Sequence, residues 1–155
     1  MINFDLIQSG VIVGSALSPL EDVLHLKRLN VTAVICLQSD EELKERDVDL
    51  AEIQSWYSDN NIVMHHFPIN DFDEVDMTKK IGEPINTLNT LLSDKQKVYV
   101  HCNAGICRAP AVVLGYLCHH EGMNFGEALR QIQIARPIAS PFRTAVKNAS
   151  QELSA

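Results

Sequence analysis

The apolar residues of the chain fall into short continuous runs that alternate with segments of helical spacing. Four runs have the length and the composition of strands, and they lie at 11–13, 32–37, 62–67 and 98–100. The continuous apolar run 32–37 predicts an interior parallel strand that is covered on both faces. Between and after these runs, apolar positions recur at helical spacing, which predicts amphipathic helices. These helices start near 18, 49, 77, 108 and 124, and a last one ends near 152. The alternation predicts an α/β fold in which helices flank a central, mostly parallel sheet of about four or five strands.

Local signals set several of the boundaries. Residues 40–49 are densely charged, which predicts a solvated loop with a short helix. The stretch 77–92 predicts one helix that Pro84 could kink. Gly122 is a suitable cap for the helix that starts near 108, and the proline-containing segment 135–142 predicts a loop before the last helix.

Composition and charge narrow the class of protein. Apolar residues make up 46% and charged residues 21% of the 155, which indicates one globular domain over 1–155. The formal charge of −7 argues against nucleic acid as a partner, because binding to a phosphate backbone needs a basic surface. No basic leader opens the sequence, and the longest apolar run, 109–118, is too short to span a membrane. We therefore expect no secretory signal and no membrane partner.

The cysteines bear on compartment and cofactor. Four cysteines are spread along the chain without a paired C-x-x-C pattern, so neither a zinc site nor a disulfide framework is predicted. We expect reduced thiols, a cytoplasmic location, a monomeric protein and no cofactor or metal.

The stretch VYVHCNAGICRAPAVV, 98–113, combines a strand, a tight loop and the start of a helix. Five residues, among them Gly105, separate Cys102 from Arg108, and a loop of that length can curl so that its amides point at a tetrahedral anion. These amides, the positive end of the helix and Arg108 would favour the thiolate of Cys102, which is the nucleophilic form. The residues predicted to surround the bound phosphate are His101, Asn103, Ala104, Gly105, Ile106 and Cys107.

The pattern of His-Cys, five residues and Arg resembles the signature of the protein tyrosine phosphatase superfamily. The form HCNAGICRAP is most similar to the dual-specificity branch, particularly the glucan phosphatases of the laforin and starch-excess type. The preceding strand, His101, Gly105 and Pro110 make the match specific, since Cys and Arg at this spacing often occur by chance. The alternative is a buried core cysteine beside a surface arginine. The resemblance covers about residues 10–150 and implies the single-domain fold of the cysteine phosphatases.

This resemblance implies a metal-free reaction in two steps through a phosphocysteine. Cys102 would attack phosphorus while the loop amides and Arg108 hold the phosphate oxygens. A general acid must protonate the leaving oxygen. In the dual-specificity branch this acid lies about thirty residues before the nucleophile, which matches Asp71, with Asp73 as the nearest competitor.

Three further positions follow from the resemblance. His101 would orient the loop and help to hold the thiolate without transferring the proton. Most of the family carries Ser or Thr after the arginine, where the hydroxyl helps the sulfur to leave, whereas this chain and certain glucan phosphatases have alanine, here Ala109. Starch-excess phosphatases pair the cysteine that matches Cys36 with the nucleophile, so Cys36 is the candidate redox partner, and Cys107 is the rival resolving thiol.

The positions that would face the substrate favour phosphoprotein. Phe72 keeps one of the aromatic rings on which glucan phosphatases stack sugars, but Glu45, Arg46 and Ser140 stand where the starch-excess type has others. The variable loop positions are uncharged, whereas phosphatases of lipid head groups usually place lysine or arginine there. By elimination we predict a dual-specificity protein phosphatase that acts on phosphotyrosine and on phosphoserine or phosphothreonine. The alternative is a phosphoglucan phosphatase or another phosphatase of non-protein substrates.

Two functions from other classes stay open. A phosphate-binding pseudophosphatase usually lacks the cysteine or the arginine of the motif, and both are present here. A thiol-redox or arsenate-reducing enzyme can use a similar anion loop, and Cys107 within the loop favours it. Reduction of arsenate coupled to a thiol donor would distinguish this last class.

Overall fold

The computed structural model describes residues 1–154, with side chains described through 149 and at 153. The strands are β1 (Phe4–Gln8), β2 (Val11–Gly14), β3 (Ala33–Cys36), β4 (Val63–His66) and β5 (Val98–His101). The helices are α1 (Leu20–Arg28), α2 (Asp40–Glu45), α3 (Leu50–Asp59), α4 (Glu74–Lys80), α5 (Gly82–Ser93), α6 (Arg108–His119), α7 (Phe125–Ala135) and α8 (Arg143–Ser154). Among the described residues, no helix has both the length and the apolar character needed to cross a membrane.

The five strands form one sheet in the order β1-β2-β5-β3-β4. The strand β1 is antiparallel to β2, and the other neighbours are parallel. The four apolar runs of the sequence therefore form β2 to β5, and the predicted α/β fold with a mostly parallel sheet is confirmed. The sequence pattern missed β1, because it is an edge strand in which only Ile7 is buried.

The prediction of one helix over 77–92 is wrong. The segment forms α4 and α5 instead, and the break falls at Ile81. Pro84 lies in the first turn of α5, where its missing N–H interrupts no hydrogen bond within the helix. A proline at this position therefore fits a helix that starts at Gly82.

The apolar core lies on both faces of the sheet because alternate strand residues point to opposite sides. On one face, Ile12, Val34 and Tyr99 pack against α1 and α3. On the other face, Val13, Ile35 and Val100 pack against α5, α6 and α8. Burial of each of the five aliphatic side chains among these stabilises the fold by about 1.5–3 kcal/mol relative to an exposed position.

The sheet brings the ends of β3 and β5 together. In the register of β3 and β5, Cys36 is the partner of His101, and the Leu37 N–H donates to the His101 carbonyl at 2.9 Å. The loop from β5 to α6 therefore begins beside residues 36–39. In parallel α/β sheets, this edge is where ligands bind.

Candidate active site

The loop between β5 and α6 turns its carbonyl groups away from its centre. Each carbonyl of residues 102–106 accepts a hydrogen bond from a group outside the loop. The Cys102 carbonyl accepts from His101 Nδ1–H at 3.0 Å, and the Asn103 carbonyl accepts from the Ala16 N–H at 2.8 Å. Arg136 donates to the next two, through Nη2 to Ala104 at 3.0 Å and through Nε to Gly105 at 2.8 Å. The Ile106 carbonyl accepts from the Ser140 N–H at 2.6 Å.

This arrangement fixes the direction of the loop amides. The described peptide bonds are trans, so the N–H of each peptide unit points opposite to its carbonyl. The N–H groups of residues 103–107 therefore converge on the concave side, and none of them donates to a carbonyl of the described backbone. Buried backbone donors need partners. A ring of free amides of this kind has the form of an anion-binding nest, so anion binding by this loop stays a prediction.

A cavity of about 80 Å³ lies over this loop. It is lined by Asp71, Phe72, Cys102, Asn103, Ala104, Ile106, Cys107 and Arg108. Cys102 is buried, and α6 starts at Arg108, so the positive end of a 12-residue helix adjoins the loop. The structure therefore brings Cys102, Arg108 and Asp71 together at one site.

Arg108 is only 1% exposed, and its guanidinium is held by fixed partners. It forms a two-pronged ion pair with Glu42, with Nη1 to Oε1 at 2.6 Å and Nη2 to Oε2 at 2.8 Å. Nη1 also donates to the Ile69 carbonyl at 2.7 Å. Its Nε, by contrast, is buried and has no partner among the described residues. Since Arg108 lines the cavity, an anion oxygen is a candidate partner for this buried donor.

Glu42 is a site residue that the sequence interpretation missed. The charged segment does form the predicted short helix α2, but Glu42 is buried within it, not solvated. Ser39 and Glu42 form a capping box, and the pattern S-x-x-E was the available signal. Burial alone would raise the pKa of Glu42, but hydrogen bonds from Arg108 and Ser39 outweigh it and lower that pKa. Removal of one partner from such a pair costs about 3–5 kcal/mol, so Glu42 fixes the orientation of Arg108.

The two candidate acids occupy different surroundings. Asp71 lines the cavity, and its Oδ1 lies 3.3 Å from Nη2 of Arg108. Asp73 instead caps α4, since its Oδ1 accepts from the Asp76 N–H at 2.9 Å. Phe72, between them, has a φ of 54° and an 81% exposed side chain. This left-handed residue separates a carboxylate at the cavity from a carboxylate at a helix end.

His101 and Gly105, which the sequence predicts around the bound phosphate, do not line the cavity. Burial lowers the pKa of His101 to about 4, so its ring is neutral near pH 7 and donates through Nδ1. Gly105 has a φ of 70°, and a Cβ there would lie 2.6 Å from the Gly14 carbonyl oxygen and 2.9 Å from Arg136 Nη2. Only glycine fits this position without displacing its neighbours.

Arg136 is the second site residue that the sequence interpretation missed. It follows α7 in the segment predicted as a loop, and it is fully buried. A single arginine beside a proline in a loop gives no local sign of burial, because its partners lie about thirty residues away in sequence at the Ala104 and Gly105 carbonyls.

Cys36 reaches the loop through a side-chain network. Its thiol donates to Gln38 Oε1 at 3.7 Å, and Gln38 Nε2 donates to Asn103 Oδ1 at 2.8 Å. The Asn103 amide in turn donates to Glu42. Burial raises the pKa of Cys36 to about 12 and that of Cys107 to about 11, so both are thiols near pH 7. All four cysteines are free.

Comparison with known proteins gives matches over nearly the whole chain. The chain is 32% identical to the amyloplastic phosphoglucan phosphatase DSP4 of Castanea sativa over 154 residues, which are 98% of this chain and 41% of that protein. It is 26% identical to laforin of Mus musculus, with 99% of this chain and 50% of laforin covered. The chain thus spans half or less of the length of these two relatives.

Solved structures share the fold. The crystal structure of PTPMT1 in complex with PI(5)P superposes with a TM-score of 0.78 at 21% identity and covers 97% of this chain and 96% of that one. The active form of Tk-PTP superposes with a TM-score of 0.74 at 22% identity. The family model described as the dual specificity phosphatase catalytic domain matches residues 16–148, which include the loop, Asp71 and Glu42. The chain therefore belongs to the dual specificity phosphatase catalytic domain family, as its motif predicted.

Proposed function

We propose that residues 1–155 form a single catalytic domain that hydrolyses phosphate monoesters through a phosphocysteine. The observation that carries this proposal is the nest of free amides over residues 103–107, beside the unpartnered Nε of Arg108. A phosphate in the cavity would accept from both. It would also meet the Cys102 sulfur, which lines the same cavity.

In the first step, the Cys102 thiolate attacks phosphorus and the bond from phosphorus to the ester oxygen breaks. Asp71 gives its proton to the leaving oxygen, so an alcohol or a phenol departs and Asp71 becomes a carboxylate. The amides and Arg108 hold the three other oxygens, on which negative charge is spread in the transition state. The two-pronged contact with Glu42 keeps the Arg108 fork in place for this role.

In the second step, water attacks the phosphocysteine and Asp71 accepts its proton. Inorganic phosphate forms, and the Cys102 thiolate leaves. Ala109 is buried and offers no hydroxyl to the departing sulfur, so stabilisation of that sulfur falls to the loop amides and the start of α6.

The favoured substrates are phosphotyrosine and phosphoserine or phosphothreonine on protein. The cavity is small, and its mouth carries the exposed apolar side chains of Phe72 and Ile106, which can pack on residues that flank a phosphorylated side chain. No charged side chain other than Asp71 and Arg108 lines this cavity within the described residues, which suits a substrate with one phosphate. The second candidate is a phosphoglucan, favoured by similarity to a phosphoglucan phosphatase and by the exposed ring of Phe72.

A substrate panel tests this ranking. Phosphotyrosine and phosphothreonine peptides are expected to give a kcat/KM at least about tenfold above that for phosphate release from amylopectin or glycogen, a margin that differential contacts in a pocket can supply. A phosphoinositide completes the panel, and para-nitrophenyl phosphate serves as the reference for intact chemistry. Equal or greater efficiency with the glucans would make the phosphoglucan assignment the better one.

The proposal also covers location and assembly, and its expectation is a cytoplasmic, monomeric protein. The four free cysteines fit a reducing compartment, although DSP4 of Castanea sativa is amyloplastic. Light scattering and a fluorescent fusion test these two points, and a dimer mass or an organellar signal would contradict them.

Redox control of Cys102 by Cys36 is the last part of the proposal. Peroxide would take two electrons and two protons from the two thiols, which leaves a disulfide and two waters. The neighbouring ends of β3 and β5 and the resemblance to starch-excess phosphatases support Cys36, whereas Cys107 is the rival thiol.

Peptide mapping after mild peroxide treatment distinguishes the two thiols. A Cys36–Cys102 disulfide is expected. After peroxide treatment, dithiothreitol should fail to restore the activity of Cys36→Ser, whereas it should restore the activity of Cys118→Ser. A Cys102–Cys107 link, or overoxidation without any link in the unsubstituted protein, would remove Cys36 from this role.

A further inference from the structure

Arg136 lies beneath the loop of residues 102–107, and each of its guanidinium nitrogens has a hydrogen-bond partner. It is 0% exposed, and two of its three guanidinium nitrogens donate to consecutive loop carbonyls, those of Ala104 and Gly105. The third nitrogen, Nη1, forms an ion pair with Asp5 Oδ2 at 2.8 Å. Asp5 lies on the edge strand β1, opposite Val13 of β2, and outside the residues 16–148 that match the family.

We propose that Arg136 and Asp5 form a brace that positions the loop for oxyanion binding, with both acting as positioning residues. Neither lines the cavity, so neither would touch the phosphate. The inference rests on the proposed function and adds a role for the N-terminal strand, which connects to the loop through this ion pair.

The physical reason lies in the two peptide units that Arg136 holds. One unit contains the Ala104 carbonyl and the Gly105 N–H, and the other contains the Gly105 carbonyl and the Ile106 N–H. Gly105 has a left-handed backbone and, as glycine, tolerates rotation of either unit. A rotated unit would aim a carbonyl oxygen at the phosphate where an amide had been, and thus turn attraction into repulsion. The fork of Arg136 opposes both rotations at once.

Asp5 gives the brace its second half. A fully buried guanidinium needs a counter-charge, and Asp5 is its ion-pair partner. Pairing of β1 with β2 fixes the Asp5 backbone and its side chain is 41% exposed, so Asp5→Asn should lower the melting temperature without changing the fold. The substitution keeps an oxygen acceptor for Arg136 and removes only the charge.

The sign of the change in anion affinity caused by Asp5→Asn distinguishes the brace from a purely electrostatic effect of Asp5. Removal of a negative charge from the protein would by itself strengthen binding of an anion. The brace requires the opposite result, because a loosened Arg136 lets the loop amides turn away. The probe is inorganic tungstate, a tetrahedral oxyanion that needs no chemistry, and its Kd is measured by calorimetry well below the melting temperature of each variant.

We expect Asp5→Asn to raise the Kd for tungstate about three- to tenfold and Arg136→Lys to raise it about tenfold or more, since lysine cannot hold two carbonyls with one fork. The kcat/KM for para-nitrophenyl phosphate should fall in the same order. The matched controls are Arg130→Lys, an exposed arginine of α7, and Asp59→Asn, an exposed aspartate of α3, and both should leave the Kd unchanged.

The Kd values of the folded variants decide whether the brace positions the loop. A Kd at or below that of the unsubstituted protein in folded Asp5→Asn and Arg136→Lys overturns the brace, even if their melting temperatures fall. If Arg136→Lys does not fold, Asp5→Asn alone decides by the same criterion. Failure of the unsubstituted protein to bind tungstate or to hydrolyse para-nitrophenyl phosphate would instead refute the proposed function, and the brace with it.

Discussion

A Cys102→Ser variant is expected to release no measurable phosphate from any ester and to bind tungstate about as tightly as the unsubstituted protein. A serine hydroxyl is a far weaker nucleophile than a thiolate, and loss of a nucleophile in enzymes of covalent mechanism lowers kcat on the order of 10⁴-fold or more. The amides of residues 103–107 and the Arg108 fork do not depend on the sulfur. Binding and chemistry should therefore separate in this variant.

The measurement pairs para-nitrophenyl phosphate turnover with tungstate calorimetry. Cys118→Ser is the matched control, since Cys118 is a half-buried thiol of α6 that does not line the cavity, and it should keep full activity. Residual turnover of Cys102→Ser above about one per cent would contradict Cys102 as the nucleophile.

An Asp71→Asn variant is expected to lose about 10²- to 10⁴-fold in kcat with phosphopeptides, the usual contribution of a general acid. The loss should be smaller in the first step with para-nitrophenyl phosphate, because para-nitrophenolate leaves without a proton. The geometry behind this expectation is the place of Asp71 at the cavity, 3.3 Å from Arg108.

Asp73→Asn is the matched control for this prediction. Asparagine is as good an N-cap as aspartate, so α4 keeps its first hydrogen bond and the fold should be preserved. Activity close to that of the unsubstituted protein is expected. A small loss of activity in Asp71→Asn together with a large loss in Asp73→Asn would assign the role of the general acid to Asp73.

The sequence pattern could predict the sheet because parallel strands leave short runs rich in apolar residues. The runs at 11–13, 32–37 and 98–100 became the buried strands β2, β3 and β5, and the run at 62–67 became the partly exposed edge strand β4. The edge strand β1 left no such run, since only Ile7 of its side chains is buried. The break at Ile81 was equally hidden, because both α4 and α5 continue helical spacing across it.

The site divides in the same way between local and distant information. Cys102 and Arg108 stand within one loop and helix start, so their spacing together with the residues around them predicted that they meet. Glu42 and Arg136 lie 66 and 28 residues from Arg108 in sequence, and only the folded chain brings them to the loop. The spacing from Cys102 favoured Asp71 over Asp73, but it did not reveal the left-handed turn at Phe72 that gives the two carboxylates different surroundings.

The most direct test of the account is the covalent intermediate itself. The Asp71→Asn variant lacks the base for the second step, so acid quenching during turnover of para-nitrophenyl phosphate should trap the phosphoenzyme. Peptide mass mapping is expected to find one phosphoryl group on Cys102, with a burst of about one nitrophenol per protein. Steady hydrolysis without any phosphoryl group on Cys102, or a phosphoryl group on another residue, would contradict the cysteine mechanism.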